Sequence, residues 1–252
     1  MKRALEGFVT ALSFLTVFPV RASAPSDRAA ADSVAFYPVV GYMIGAVLAG
    51  AGLGAREIAG AGAGAVVTVA AWLIVTRCLH FDGMTDVADG FLAGGTPQER
   101  FGVMKDSRIG AFGTAAGIVL IAGKIVFISQ LSGGALAPAL LLAPAAARLT
   151  TPFTAVMSLR AAGSGLGAAL VNNVRGRTTV PTAVFFLAPA VFVATPSQIL
   201  LLIGCVTTAT VALVILAHRK IGGVNGDVFG AAIEAAEWLS LLAMCAAGRY
   251  NI

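Results

Sequence analysis

Asp82, Asp86 and Asp89 stand at i, i+4 and i+7 in the run His80-Phe81-Asp82-Gly83-Met84-Thr85-Asp86-Val87-Ala88-Asp89-Gly90. At about 100° per residue they fall at roughly 0°, 40° and −20°, one narrow stripe of a helix. Like charges on adjacent turns repel, and no Lys or Arg intervenes from 78 to 99. A divalent cation relieves such a stripe. All-oxygen ligands favour Mg²⁺ or Mn²⁺, and Mg²⁺ commonly shares its sphere between one or two carboxylates and substrate phosphates. The three aspartates are therefore candidate metal ligands, the alternative being a solvated acidic face at a membrane boundary. His80 adjoins the stripe, placed to orient Asp82 or a phosphate, although a lone histidine lacks ligand spacing.

Two further polar blocks follow. In Met104-Lys105-Asp106-Ser107-Arg108-Ile109-Gly110-Ala111-Phe112-Gly113, Lys105 and Arg108 suit phosphate oxygens, Arg as a planar fork and Lys as a compact charge. Asp106 suits either the metal shell or the N-cap of the next helix. In Gly222-Gly223-Val224-Asn225-Gly226-Asp227, Asp227 reads as an N-cap, with Glu234 seven residues on and Glu237 a turn further. Carboxylates inside a membrane span are costly and default to function; pairing with Lys124 or Arg148 at similar depth is the structural alternative.

These residues need helices in lipid to position them. The chain has 252 residues, 58% hydrophobic and only 12% charged, half the charge of an ordinary soluble domain, and its mean hydropathy is +0.90. Soluble enzymes, disordered chains and fibres are excluded. Apolar runs near 20 residues, with 30 glycines among them, indicate close-packed helices rather than barrel strands. The expected fold is all-α: a single polytopic membrane domain, 1–252, with about seven spans near 34–54, 58–79, 110–130, 136–157, 180–196, 198–217 and 227–247. The run Gly60-Ala61-Gly62-Ala63-Gly64 reads as a small-residue helix face or a weak helix start. An N-terminal segment, 4–20, carries Glu6, Thr10 and Ser13 on one face and reads as interfacial or re-entrant. A competing reading makes residues 1–24 a secretory signal cleaved at Ala22-Ser23-Ala24, but Glu6 and Pro19 interrupt its apolar region. Three scattered cysteines, Cys78, Cys205 and Cys245, read as free thiols.

The net charge is +5. If 80–109 is a cytoplasmic loop, then 1–3, 21–33, 77–109, 159–179 and 218–226 lie inside and collect nearly all the Lys and Arg. Arg56 and Arg249 fall outside, and Lys124 and Arg148 at membrane depth. That bias predicts a cytoplasmic N-terminus and polar loop. Arg175, Arg177, His218, Arg219 and Lys220 on that side serve as topology anchors or as contacts for an anionic substrate. No nucleic-acid partner is expected, and the patterns leave a homo-oligomer open.

At these motifs the sequence resembles a known family. The segment 79–90 is similar to the signature of the adenosylcobinamide-GDP ribazoletransferases, also called cobalamin synthases, and 104–113 resembles the family's second block. Gly222 to Asp227 with Glu234 resembles a third, and Phe14-Leu15-Thr16-Val17-Phe18-Pro19-Val20 its opening, which argues against cleavage at Ala24. The resemblance implies a multi-pass inner-membrane enzyme that joins adenosylcobinamide-GDP to α-ribazole or its 5′-phosphate, releases GMP and requires Mg²⁺. On that basis Asp82, Asp86 and Asp89 would hold the metal, and Asp86 or Asp89 would take the proton of the attacking hydroxyl. Lys105, Asp106, Arg108, His80, Asn225, Asp227 and Glu234 would bind substrate. Asp86-x-x-Asp89-Gly90 with Ala93 is also similar to the start of the CDP-alcohol phosphotransferase motif, but Gly94 stands where that family has Arg. A CDP-alcohol or prenyl-type transferase is the second reading and a secondary transporter the third.

Overall fold

The computed structural model describes residues 2–20 and 25–250, and its secondary structure is helical throughout apart from one isolated parallel bridge between Ala161 and Val224. The proposed cleavage motif at 22–24 lies outside the described residues. Helix α1, Lys2–Leu15, has 14 residues, about 21 Å, too short to span. It buries Ala11, Leu12 and Leu15, as the interfacial or re-entrant reading requires. Short helix α2, Asp27–Ser33, is capped by Ser26 and runs through a 3₁₀ turn into α3, Tyr37–Val75.

Straight, the 39 residues of α3 would extend about 58 Å. They double back instead. Gly60 takes φ 84°, a left-handed value open to glycine, and Gly52 lies against Thr68 while Gly64 lies against Arg56. Both ends of α3 meet the end of α1: Tyr37 stacks on Phe14 at 6.4 Å, and the Val75 carbonyl accepts from the Val17 amide at 2.9 Å. Six helical runs are long and apolar enough to cross a membrane, the first of them 27–75. Counting the two limbs of that hairpin separately restores the two spans expected on either side of the 60–64 run.

The remaining elements are α4, Leu79–Leu92; α5, Pro97–Met104; α6, Ala111–Gln130; α7, Gly133–Ala147; α8, Thr150–Met157; α9, Leu166–Asn173; α10, Gly176–Val193; α11, Pro196–Ile221; and α12, Gly226–Tyr250. The expected loop 80–109 is thus corrected: most of it is α4 and α5, and α4 packs between α12 and α6. The sequence already placed the aspartates on a helical stripe, but burial of Val87 and Phe91 on the opposite face draws the whole segment into the bundle.

Helices α7 and α12 form the interior, and small residues let the others approach them. A Cβ on Gly41 would sit 2.6 Å from the Ala145 Cα and 2.8 Å from the Pro144 carbonyl oxygen. Gly41→Leu should therefore force α3 off α7, costing at least the 1–3 kcal/mol typical of overpacking, seen as a lowered apparent Tm in detergent. Gly54→Leu, where nothing lies within 4 Å, is the matched control and should leave Tm unchanged.

The polar segments meet at one end of the bundle. Leu159 donates its amide to His218 Nε2 at 3.3 Å, the 160–162 backbone pairs with Val224, and Arg177 lies 3.5 Å from Asp32. Arg56 bonds the Leu131 carbonyl at 2.8 Å, beside the α3 hairpin bend rather than among these segments. The segments grouped by charge are therefore grouped in space.

Candidate active site

Helix α4 enters the bundle through a sharp reversal. Arg77 and Cys78 both take φ 54°, a left-handed conformation that costs non-glycine residues about 1–2 kcal/mol each. Arg77 anchors the turn by donating to the Ser13 and Phe14 carbonyls at 3.2 and 3.0 Å. The stripe then descends: Asp82 is exposed, Asp86 half-buried and Asp89 buried.

Asp89 is committed. One carboxylate oxygen accepts the Gly110 amide at 2.7 Å and the other the Gly113 amide at 2.9 Å. It caps the N-terminus of α6 from a distant helix, where orphan amides and the helix dipole favour an anion. A Cβ on Gly110 or Gly113 would lie about 3 Å or less from the Asp89 carboxyl carbon, so the two glycines admit the carboxylate. Asp106, expected as cap or ligand, does not cap α6, whose N-cap is Gly110. It accepts from the Arg108 side chain and amide, and that partner holds its carboxyl down at about 2. The exposed segment between α5 and α6 lets these two close neighbours pair locally.

Asp86 makes no hydrogen bond or ion pair among the described residues. Burial, then the charges of Asp82, Asp227 and Asp89, push its carboxyl up to about 7. Asp227 joins the group because the first turn of α12 packs on Gly83, where a Cβ would sit 2.8 Å from the Asp227 carbonyl oxygen. The N-cap of α12 is Asn225 rather than Asp227: its Oδ1 accepts the Val228 amide at 3.1 Å and its Nδ2 donates to Asp227 at 2.8 Å. The helix starts at Gly226, two residues earlier than an N-cap at Asp227 implied, and this directs the Asp227 carboxylate to the stripe.

Asp82, Asp227, His80 and Thr151 line a cavity of about 230 Å³. Burial first, then Arg148 and Lys124, lower His80 to about 3, so its imidazole is neutral near neutral pH. Lys105 lies 4.4 Å over the Phe101 ring, and the Arg108 side chain is 86% exposed and paired with Asp106 at 2.6 Å. Both stand on the exposed segment and neither bonds the α4 aspartates.

Glu234 follows the structural alternative. Lys124 Nζ donates to Glu234 at 2.6 Å and to Glu237 at 2.8 Å, Glu237 also accepts from Arg148, and Lys124 lies 4.2 Å over Trp72. All four charged residues are buried. Thr151, Trp72 and the Gly110–Gly113 pair were not singled out by sequence. The Gly-x-x-Gly spacing at a helix start was the available signal for the last.

The donors suit a hard divalent cation: the carboxylate oxygens of Asp82, Asp86 and Asp227, none of them ion-paired to a Lys or Arg among the described residues. No three His, Cys, Asp or Glu side chains there form a closed ligand set.

The chain matches the family described as cobalamin-5-phosphate synthase over residues 7–245. It is 32% identical over 251 residues to an adenosylcobinamide-GDP ribazoletransferase of Brevibacillus brevis, covering 95% of this chain and 98% of that protein. It is 35% identical to the protein of that name from Syntrophobacter fumaroxidans, covering 94% and 96%, and 33% identical to that of Roseiflexus sp., covering 92% and 86%. No solved structure matches.

Proposed function

The chain belongs to the cobalamin-5-phosphate synthase family, and from that membership we propose that it transfers the adenosylcobinamide-phosphate group of adenosylcobinamide-GDP to α-ribazole or its 5′-phosphate, releasing GMP. The observation that carries the reading is the convergence of Asp82, Asp86 and Asp227 beside one cavity at the polar end of the bundle. The basic segments gathered at that end support a cytoplasmic site in the inner membrane. Nothing in the relatives or the site favours a lipid-headgroup transferase or a transporter.

Asp82 and Asp227 would hold Mg²⁺, which when bound would draw charge from the diphosphate and from the departing GMP. Asp86, without a hydrogen-bond donor of its own, takes the proton of the ribazole 3′-hydroxyl as that oxygen attacks the cobinamide-side phosphorus. The bond from that phosphorus to the bridging oxygen breaks, and the guanosine phosphate leaves as GMP. Asp89 fixes α6 against α4 and so positions the stripe. Lys105 and Arg108 supply positive charge from the neighbouring exposed segment.

Purified protein given adenosylcobinamide-GDP and α-ribazole should release GMP and form adenosylcobalamin. Chelation with EDTA should abolish the release, and added Mg²⁺ should restore it. GMP release that survives chelation would refute the cation assignment; no release in Mg²⁺ would refute the transfer.

A further inference from the structure

The cavity beside Asp82 and Asp227 is walled mainly by hydrocarbon and aromatic rings, among them Leu166 and Phe229. Its polar side chains are Asp82, Asp227, His80, Thr151 and the Tyr37 hydroxyl. Two of these are buried yet unpaired: His80 is 4% and Thr151 1% exposed, and neither His80 Nε2 nor Thr151 Oγ1 has a hydrogen-bond partner. Buried polar atoms are rarely left unmatched, and each unmatched one costs about 1–3 kcal/mol. Two on the wall of one cavity indicate a ligand that supplies the partners.

We propose that this cavity seats the base of the acceptor nucleoside, with His80 Nε2 donating to its free ring nitrogen and the Thr151 hydroxyl bonding its ribose. The inference rests on the transferase reading. α-Ribazole carries dimethylbenzimidazole, a flat apolar bicycle with one unsubstituted ring nitrogen, which needs apolar walls and a single donor. Guanine, the competing base, presents polar atoms along most of its edge and would leave several unpaired against hydrocarbon. A corrin ring exceeds the space. An imidazole N–H at the unpartnered Nε2 supplies the one donor the base requires. Seating the base here leaves the ribose to reach Asp82 and Asp227, where the hydroxyl must react.

The test uses the purified full chain in detergent. α-Ribazole binding is measured by calorimetry without the second substrate, and KM for each substrate by GMP release, for wild type, His80→Phe and Thr151→Val. Both variants should raise Kd and KM for α-ribazole about tenfold, the scale of one lost hydrogen bond, with KM for adenosylcobinamide-GDP unchanged. The α-riboside of dimethylindole, lacking the ring nitrogen, should bind wild type about tenfold more weakly than α-ribazole and bind His80→Phe as well as α-ribazole does. Thr151→Val removes a hydroxyl without a partner, so it keeps the fold and isolates the ligand effect. Unchanged α-ribazole constants in both variants of an active enzyme, or a shift in KM for adenosylcobinamide-GDP instead, would overturn the assignment. A wild type that releases no GMP would overturn the transferase reading and this proposal with it.

Discussion

Asp86→Asn should lower kcat about 10³-fold, in the range set by loss of a positioned proton acceptor, and leave helix content and thermal stability unchanged. The side chain keeps its shape, bonds nothing among the described residues, and loses a charge that Asp82, Asp227 and Asp89 all oppose. Removing it relieves repulsion rather than breaking a contact. Asp89→Asn behaves differently. Its two oxygens receive the Gly110 and Gly113 amides, and an amide side chain offers one oxygen and turns an NH₂ toward the other donor. That leaves a buried amide unmatched, at about 1–3 kcal/mol, so activity and apparent Tm fall together. Circular dichroism melts and GMP-release rates on the two variants separate the roles. Equal Tm losses would show that Asp86 is structural, and wild-type turnover in Asp86→Asn would remove it from the chemistry.

Glu237→Leu should produce the largest loss of stability among these variants. Glu237 accepts from Lys124 at 2.8 Å and from Arg148, and the Glu237 and Arg148 side chains are both 0% exposed. Without it, two buried cations share Glu234, bonded to Lys124 alone. Removing one partner of a buried ion pair costs about 3–5 kcal/mol because the other charge stays desolvated. The expected drop in apparent Tm is on the order of 10 °C for a chain of this size. Glu234→Gln should cost less, since Lys124 keeps Glu237. Glu237→Leu combined with Arg148→Met should recover part of the loss, because an apolar replacement removes the stranded cation as well. A double variant no more stable than the single one would show that the cluster works through packing rather than charge.

The two predictions bear on the same helices. Lys124 on α6, Arg148 just after α7 and the two glutamates on α12 fasten the interior, while Asp89 fastens the start of α6 to α4. The position of Asp86 relative to Asp227 therefore depends on charges three turns away, and Glu237→Leu should depress activity through that geometry.

Much of this was readable from composition and period. A segment that spans lipid alone must satisfy its own backbone, which an apolar helix of sufficient length does, so hydropathy alone located the spans, including both limbs of the α3 hairpin. A helix repeats every 3.6 residues, so spacing alone placed Asp82, Asp86 and Asp89 on one stripe. The positive bias sorted the polar segments to the end where they meet, and the intramembrane charges of both signs at similar depth implied one another. The roles of the carboxylates were not readable, because they depend on partners brought from far along the chain. Asp89 is a cap because Gly110 and Gly113 reach it from 21 and 24 residues away. Asp227 is not one, because Asn225 bonds the Val228 amide first. Three acids that look equivalent on a helical wheel differ only once α6 and α12 are packed against α4, since hydrogen-bond partners and burial are properties of packed neighbours and not of spacing.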